Sequence, residues 1–323
     1  MATVATRVDV FTVDADMMTV VSVLRLFSSG RHSWVVELEE VRAVEEYVRA
    51  CAPPMVGAVG GLARKAWTSR TAWTSSSADT AASLQYEVTA ATIHVVLADL
   101  ERPGVLVVED LVSDRAFVDA IIAAYDEDRV QSALVNGWLE VRHAGGGGRI
   151  LAVAKDEAQK FANVPRVGAV LDSDSLYPGH QTSAHSTQSR MKALGLSCLV
   201  LKHREIENYI PNRALATLRP YSKFSKRIGA LKALSPEQRS HFDMKNGLCR
   251  RSPNFARMPQ NHQDLYANAS VSALAALEEG FGGDVIRCLA SAAESLAPID
   301  FETLSPVAGD DIQGVLHLLR SLI

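Results

Sequence analysis

The sequence predicts an α/β protein built around a parallel central sheet, and three observations predict it. From residue 101 onward, short apolar runs alternate with amphipathic stretches, the arithmetic of strands joined by crossover helices. The runs are rich in Val and Leu, as strands covered on both faces are. Three of them end on or are soon followed by acidic residues, at the strand ends where ligands of open parallel sheets collect.

Residues 1–100 read as a small α/β module. "RVDVFTV" alternates like a strand, and "LEEVRAVEEYVRAC" sets Leu38, Val41, Val44, Val48 and Cys51 on one helical stripe that Pro53 and Pro54 close. "WTSRTAWTSSSADTAAS" is Ser/Thr-rich and reads as a connector. Nothing in this module carries a chemical signature. Residues 101–215 form the sheet domain. "VLVVE" is its first strand. In the helix "SDRAFVDAIIAAYDED", Phe117, Ile121 and Tyr125 recur every fourth residue, with Ser113 as N-cap and Asp114 in the first turn. "WLEVRH", "VGAVLDSD" and "LSCLVLK" follow as strands. Residues 216–323 read as a mainly helical C-terminal region, and no internal repeat is visible.

A chain of 323 residues has room for two domains, or for one large domain with an appendage. Its four cysteines lie far apart and form no CxxC pair, so they suggest neither a zinc ribbon nor a disulfide framework and fit a reducing compartment. The N-terminus lacks a signal pattern, and no apolar run approaches the roughly 20 residues that span a bilayer. The expectation is a soluble, cytoplasmic protein with no membrane partner, and a two-fold homodimer on base rates. Net charge is only −4, but its distribution is uneven. Residues 202–257 hold 13 Lys+Arg against 4 Asp+Glu, whereas residues 258–323 hold 2 against 9. Such a block is the footprint of polyphosphate binding, the plainer alternative being a solvated helical face. Lys202, Arg204, Lys223, Lys226, Arg227, Arg250 and Arg251 are the candidates to line a nucleic-acid backbone, giving binding without sequence choice. Tyr221 and Phe224 stand among them, either for base stacking or as core. The acidic C-terminal segment is either a cover for this block or an ordinary helical cap.

The acids carry the chemistry. Glu109 and Asp110 follow the first strand of the sheet, Asp172 and Asp174 a later one, and Glu205 and Glu207 the next. Carboxylates delivered to one sheet edge repel and resist joint ionisation unless a cation or a shared proton compensates them. Single acids at such junctions are commonly caps or turns. Three successive strand ends that each deliver a pair favour a metal site. Oxygen ligands without His or Cys suit Mg²⁺ or Mn²⁺. Alternation would aim Asp172 and Asp174 to one side, and Glu205 and Glu207 likewise.

Together "VLVVEDLVSDRAFV", "VLDSD" and "HREIENYIP" resemble the Toprim domain, in the branch of the overcoming-lysogenisation-defect nucleases and related phage-defence proteins. The resemblance covers about residues 103–215 and extends toward "HFDMKNGL". It implies a Rossmann-like Toprim domain, with Glu109, Asp172 and Asp174 around Mg²⁺, Glu207 as the further acid of the nuclease branch and Lys245 as its downstream lysine. Asp114, which resembles the aspartate of the family's "EGxSD" element, and the neighbouring acid Glu205 are counted with Glu109, Asp172, Asp174 and Glu207 as candidate metal ligands. Here "EDLVSD" has one extra residue and an Asp in place of the Gly, so Glu109 and Asp110 both answer to the first ligand; Glu109 is preferred. The function implied is a metal-dependent endonuclease of anti-phage defence. A separate ATPase or sensor partner is implied as well, because no ATPase motif is present.

Other readings rank lower. A nucleic-acid-binding sensor or regulatory subunit with a vestigial acid cluster is the main alternative. A response-regulator receiver shares "VLVVED" and "LDSD", but the spacing includes an extra block with "AGGGG" and lacks an intervening strand. That glycine run lacks the GK[ST] of a P-loop and reads as a turn. His180 and His185, five apart, would fall on different helix faces and are not taken as metal ligands. His203 reads as structural or as touching substrate. Tyr209 reads as a positioning residue rather than a nucleophile.

Overall fold

The computed structural model describes residues 2–12, 15–74, 86–248 and 258–323. The N-terminal module comprises β1 (Thr3–Thr6), α1 (Met17–Ser28), β2 (Ser33–Val35), α2 (Leu38–Cys51), α3 (Val56–Thr74), β3 (Tyr86–Val88) and α4 (Ile93–Glu101). Its three strands pair in parallel in the order β2-β1-β3 and build an apolar core of their own from residues 2–100. Two expectations are corrected here. The strand is Thr3–Thr6, while Val8–Phe11 turn into a short 3₁₀ helix that lets the adjacent Val10 and Phe11 both face the core. Likewise, "WTSRTAWT" is the end of α3 rather than a connector, and its residue Thr68 turns its hydroxyl back onto the carbonyls of Arg64 and Lys65, which lets a threonine sit inside a helix. The rest of that stretch, residues 75–83, lies outside the described residues.

The second sheet contains β4 (Gly104–Val108), β5 (Leu139–His143), β6 (Val167–Leu171) and β7 (Ser197–Val200), all parallel, in the order β5-β4-β6-β7. Between them run α5 (Leu111–Ala124), α6 (Asp128–Val135), α7 (Ile150–Ala158) and α8 (Ser183–Ala193). The two-residue period of a strand sends Val105 and Val107 into the core shared with α7 and α8, while Leu106 and Val108 enter the one shared with α5. Phe117 and Ile121 are fully buried in that second core, each contributing about 2 kcal/mol by removal from water. Asp110, not Ser113, caps α5: its carboxylate accepts the Ser113 N–H at 2.7 Å.

All described elements after β7 are helical: α9 (Asn212–Leu215), α10 (Tyr221–Lys232), α11 (Pro236–Ser240), α12 (Gln260–Leu265), α13 (Val271–Ala276), α14 (Arg287–Ala292), α15 (Pro298–Glu302) and α16 (Pro306–Leu322), besides short 3₁₀ turns. Their apolar side chains join Leu106, Phe117 and Ile121 in one core, so the packing does not break at residue 215. α16 lies directly on the sheet. A Cβ on Gly104 would come 2.0 Å from the Leu322 carbonyl oxygen, so only glycine starts β4 there. Buried Arg166 ties the module to the sheet by donating to the carbonyls of Asp99, Leu100 and Arg102, while Asp99 accepts the amides of Ala162 and Asn163. No helix among the described residues is long and apolar enough to cross a membrane.

Candidate functional site

Strand order reverses between β4 and β6, because the chain leaves β4 toward the α5 face and leaves β6 toward the α8 face. The divergence opens a crevice at their carboxyl ends. Glu109 follows β4 and Asp172 follows β6, at its two lips. The third contribution comes past β7, where Glu205 and Glu207 flank the start of a 3₁₀ turn, Ile206–Tyr209, that bends the chain back. Extended alternation does not hold in either later pair, since Asp174 has a φ of +53° and Glu207 is inside the turn. Both pairs nevertheless reach the crevice.

The mutual electrostatics show the convergence. Burial raises the Asp172 carboxyl well above the usual range, and the charges of Asp114, Glu207, Glu109 and Glu205 push it further. Glu109 is pushed up to about 6 by burial and by Asp174 and Asp114. Asp114 also rises to about 6 through burial. Glu207, with no exposed surface, is pushed up to about 7 by burial and by Glu205. Lys245 opposes that rise.

Local structure accounts for each placement. Asp114 accepts the amides of Glu109 and Asp110 at 2.8 and 3.0 Å, clamping the first turn of α5 beneath the site. This separates the two acids that the sequence left open: Asp110 is an exposed cap, while Glu109 turns into the crevice. Asp172 accepts the Ile206 amide at 2.9 Å, pinning the end of β6 to the turn after β7. Glu205 accepts the Met244 amide at 3.1 Å, and its own N–H donates to Asn208. Lys245 rides on a tight turn whose Asn246 amide donates to Asp243 at 2.7 Å, and its ammonium lies 3.1 Å from both Glu205 and Glu207.

Two features went unread in the sequence. A Cβ on Gly147 would lie 2.9 Å from Glu109 Oε1, so the "AGGGG" segment wraps the Glu109 carboxylate and needs a bare backbone there. The run signalled flexibility, but the fold uses its lack of side chains. Second, both Glu207 oxygens are buried without a hydrogen bond among the described residues, and of these residues the Lys245 ammonium offsets their charge. The donor set is entirely hard oxygen, and with these orphaned oxygens it fits a divalent cation. As the side chains stand, however, no three acidic, imidazole or thiol groups among the described residues are placed to hold one.

The basic candidates separate. Lys202, Lys223 and Lys226 are exposed enough to meet a ligand. Arg204 is instead paired with Asp243 at 2.8 Å, and Arg227 is tied to Glu279 and to the Gly280 carbonyl. Both guanidinium groups are thus engaged within the chain. Arg250 and Arg251 lie outside the described residues. Tyr221 is half exposed and Phe224 is core. The acidic C-terminal segment touches the basic block through Arg227–Glu279, Arg213–Asp300 and Lys202–Asp310.

Tyr209 is fully buried, donates to Asp311 and accepts the His203 amide at 3.1 Å. His203 stacks on it and meets Ser305 Oγ at 2.8 Å, while burial lowers its imidazole to about 4. His180 precedes α8, so the helix-face argument made for it and His185 does not apply; both line one cleft. No family model matches the chain, and neither a curated protein nor a solved structure does.

Proposed function

We propose that the chain is a metal-dependent nuclease of Toprim type. The single observation that carries this reading is the gathering of Glu109, Asp114, Asp172, Asp174, Glu205 and Glu207 at the crevice between β4 and β6, where the pKa values of Glu109, Asp114, Asp172 and Glu207 are raised and both Glu207 oxygens are buried without a hydrogen bond among the described residues. Glu109, Asp172, Asp174 and Glu207 would hold Mg²⁺ or Mn²⁺, which supplies water activation and charge stabilisation for phosphodiester hydrolysis. The chain's own residues do the rest. Asp114 and Glu205 hold the backbone beneath the ligands, Lys245 neutralises phosphoryl oxygens, and exposed Lys202, Lys223 and Lys226 draw in the polyanion. The biological setting supported by the motif resemblance is phage defence, with an ATPase or sensor as partner.

The test incubates purified protein with plasmid DNA and with total RNA, in Mg²⁺, in Mn²⁺ and in chelator. Metal-dependent cleavage is expected and should fall about 100-fold or more in Asp172→Ala, whose fold and nucleic-acid binding persist. Full activity in that variant would remove the assignment.

One observation favours a second reading. Because Lys245 already sits between Glu205 and Glu207, its ammonium serves as a permanent counter-ion, and the chain is then a nucleic-acid-binding sensor that does not cleave. Binding without cleavage in every metal selects this reading.

A further inference from the structure

The chain segments that carry the acids have a second face. While Asp172 and Asp174 meet the carboxylate cluster, the intervening Ser173 and the following Ser175 line a half-enclosed cleft of about 460 Å³. Leu201, Lys202 and His203 line it from the segment that leads to Glu205, and the starts of α8, α11 and α16 complete its walls. The volume is in the range of small-molecule sites.

Three histidines in this wall are held in defined states. His180 Nδ1 accepts the Leu176 amide at 3.2 Å, and His185 Nδ1 accepts the Thr182 amide at 3.1 Å, so each neutral ring carries its proton on Nε2. His241 is the reverse: its Nδ1 faces the Ser175 carbonyl at 2.8 Å and must donate, which makes Nε2 an acceptor. Among the described residues no hydrogen-bond partner meets these three Nε2 atoms. The three rings that line the cleft thus carry two donors and one acceptor on their Nε2 atoms, with each ring anchored through its Nδ1. A metal would need lone pairs where His180 and His185 carry protons. Burial also lowers the His241 pKa, so that ring stays neutral.

The rest of the lining defines the ligand further. Pro178, Val200, Pro306 and Val307 supply apolar surface. Charge nearly cancels, since Lys202 lies 3.9 Å from both Asp310 and Asp311 and Glu237 also lines the cleft. A phosphate would gain little here; a flat, uncharged ring with donor and acceptor edges gains most.

We propose that this cleft binds a nucleobase, presented either by a free nucleoside or by a nucleic-acid strand, with its edge read by His180, His185 and His241. The choice of a nucleobase among uncharged rings rests on the nucleic-acid chemistry proposed for the adjoining acids. Its occupancy does not require a metal.

The test uses the full chain in chelator, with adenosine, guanosine, cytidine and uridine and with short single-stranded homo-oligonucleotides, read by protein-observed NMR and calorimetry. At least one base is expected to bind. His241→Phe, and separately His180→Leu on the loop before α8, should weaken that binding at least about tenfold, the effect of one unpaired hydrogen bond. Binding of free nucleosides assigns the cleft to a nucleoside; binding of oligonucleotides alone assigns it to the strand. The proposal is overturned if no base binds, or if both folded variants bind as the parent does. Metal-dependent cleavage without base binding leaves the nuclease reading intact and removes this one. Base binding without cleavage does the opposite.

Discussion

Lys245 places its ammonium 3.1 Å from Glu207, a carboxylate that is wholly buried and, among the described residues, has no hydrogen bond on either oxygen. The pair is asymmetric in need. Lys245 is partly exposed and shares itself with Glu205, whereas among the described residues Glu207 has no other cation beside it. Replacing the lysine strands a buried anion. In Lys245→Met, Glu207 is expected to take up a proton at neutral pH. Cleavage should fall about 100-fold, while Mn²⁺ binding, followed by electron paramagnetic resonance, is retained because a competing cation has gone. Loss of Mn²⁺ binding would show that the lysine is needed to assemble the site.

Stability should depend on pH with a defined sign. Glu109 and Asp114 are raised to about 6, Glu207 to about 7, and Asp172 is raised well above the usual range. Folded-state values above the unfolded ones mean that the native protein binds more protons, so their contribution is full below about pH 4 and is lost as pH rises through about 6 to 7. In chelator, denaturant midpoints should therefore decline between about pH 5 and pH 8. Saturating Mg²⁺ should flatten the decline, because a bound cation replaces the protons. A midpoint that rises over this interval would show that the carboxylates are not mutually destabilising.

The glycine run gives a steric prediction. A methyl on Gly147 would meet Glu109 Oε1 at 2.9 Å and must displace that carboxylate. Gly147→Ala is expected to fold normally, since its backbone is not left-handed, yet to lose about tenfold or more in metal-dependent cleavage through misplacement of the ligand. Unchanged cleavage would place Glu109 outside the working site.

One guanidinium bridges module and sheet, beside the Asp99 contacts to Ala162 and Asn163. Arg166 is almost entirely buried and donates to the carbonyls of Asp99, Leu100 and Arg102. Arg166→Met leaves these carbonyls unsatisfied and should destabilise the chain by about 2 to 3 kcal/mol. Differential scanning calorimetry measures it, and an unchanged Tm would show that water substitutes for the arginine.

What the sequence revealed follows physical range. The strands that carry the acids were legible because they combine an unbroken apolar run with an abrupt polar end, and Glu109, Asp172 and Glu207 announce themselves at those ends. Caps were less legible, since Asp110 and Ser113 are both good acceptors and only the backbone geometry chooses between them. Partnerships across the chain were not legible. The pairing of Arg204 with Asp243 has no sequence signal, and the cleft histidines become a set only when residues 180, 185 and 241 meet. Composition reports charge but not which charge is already neutralised.

Tyr209 joins the acid-bearing turn to the C-terminal helix. Its hydroxyl donates to buried Asp311 of α16 and accepts the His203 amide, two residues before Glu205. Asp311 in turn accepts the Lys202 amide at 2.8 Å, so one carboxylate and one phenol fix the backbone where it leaves β7. Tyr209→Phe keeps the ring stacked on His203 but leaves that amide unpaired, a loss of about 1 to 3 kcal/mol in stability. If the hydroxyl positions Glu205 and Glu207, cleavage should fall with kcat rather than KM, and the pH midpoint of activity should move as the Glu207 environment loosens. A nucleophilic role predicts complete loss and a covalent adduct on denaturation, whereas a purely structural role predicts lower stability with an unmoved pH profile. The burial of the hydroxyl against Asp311 favours the positioning outcome, because no substrate phosphorus can approach it there.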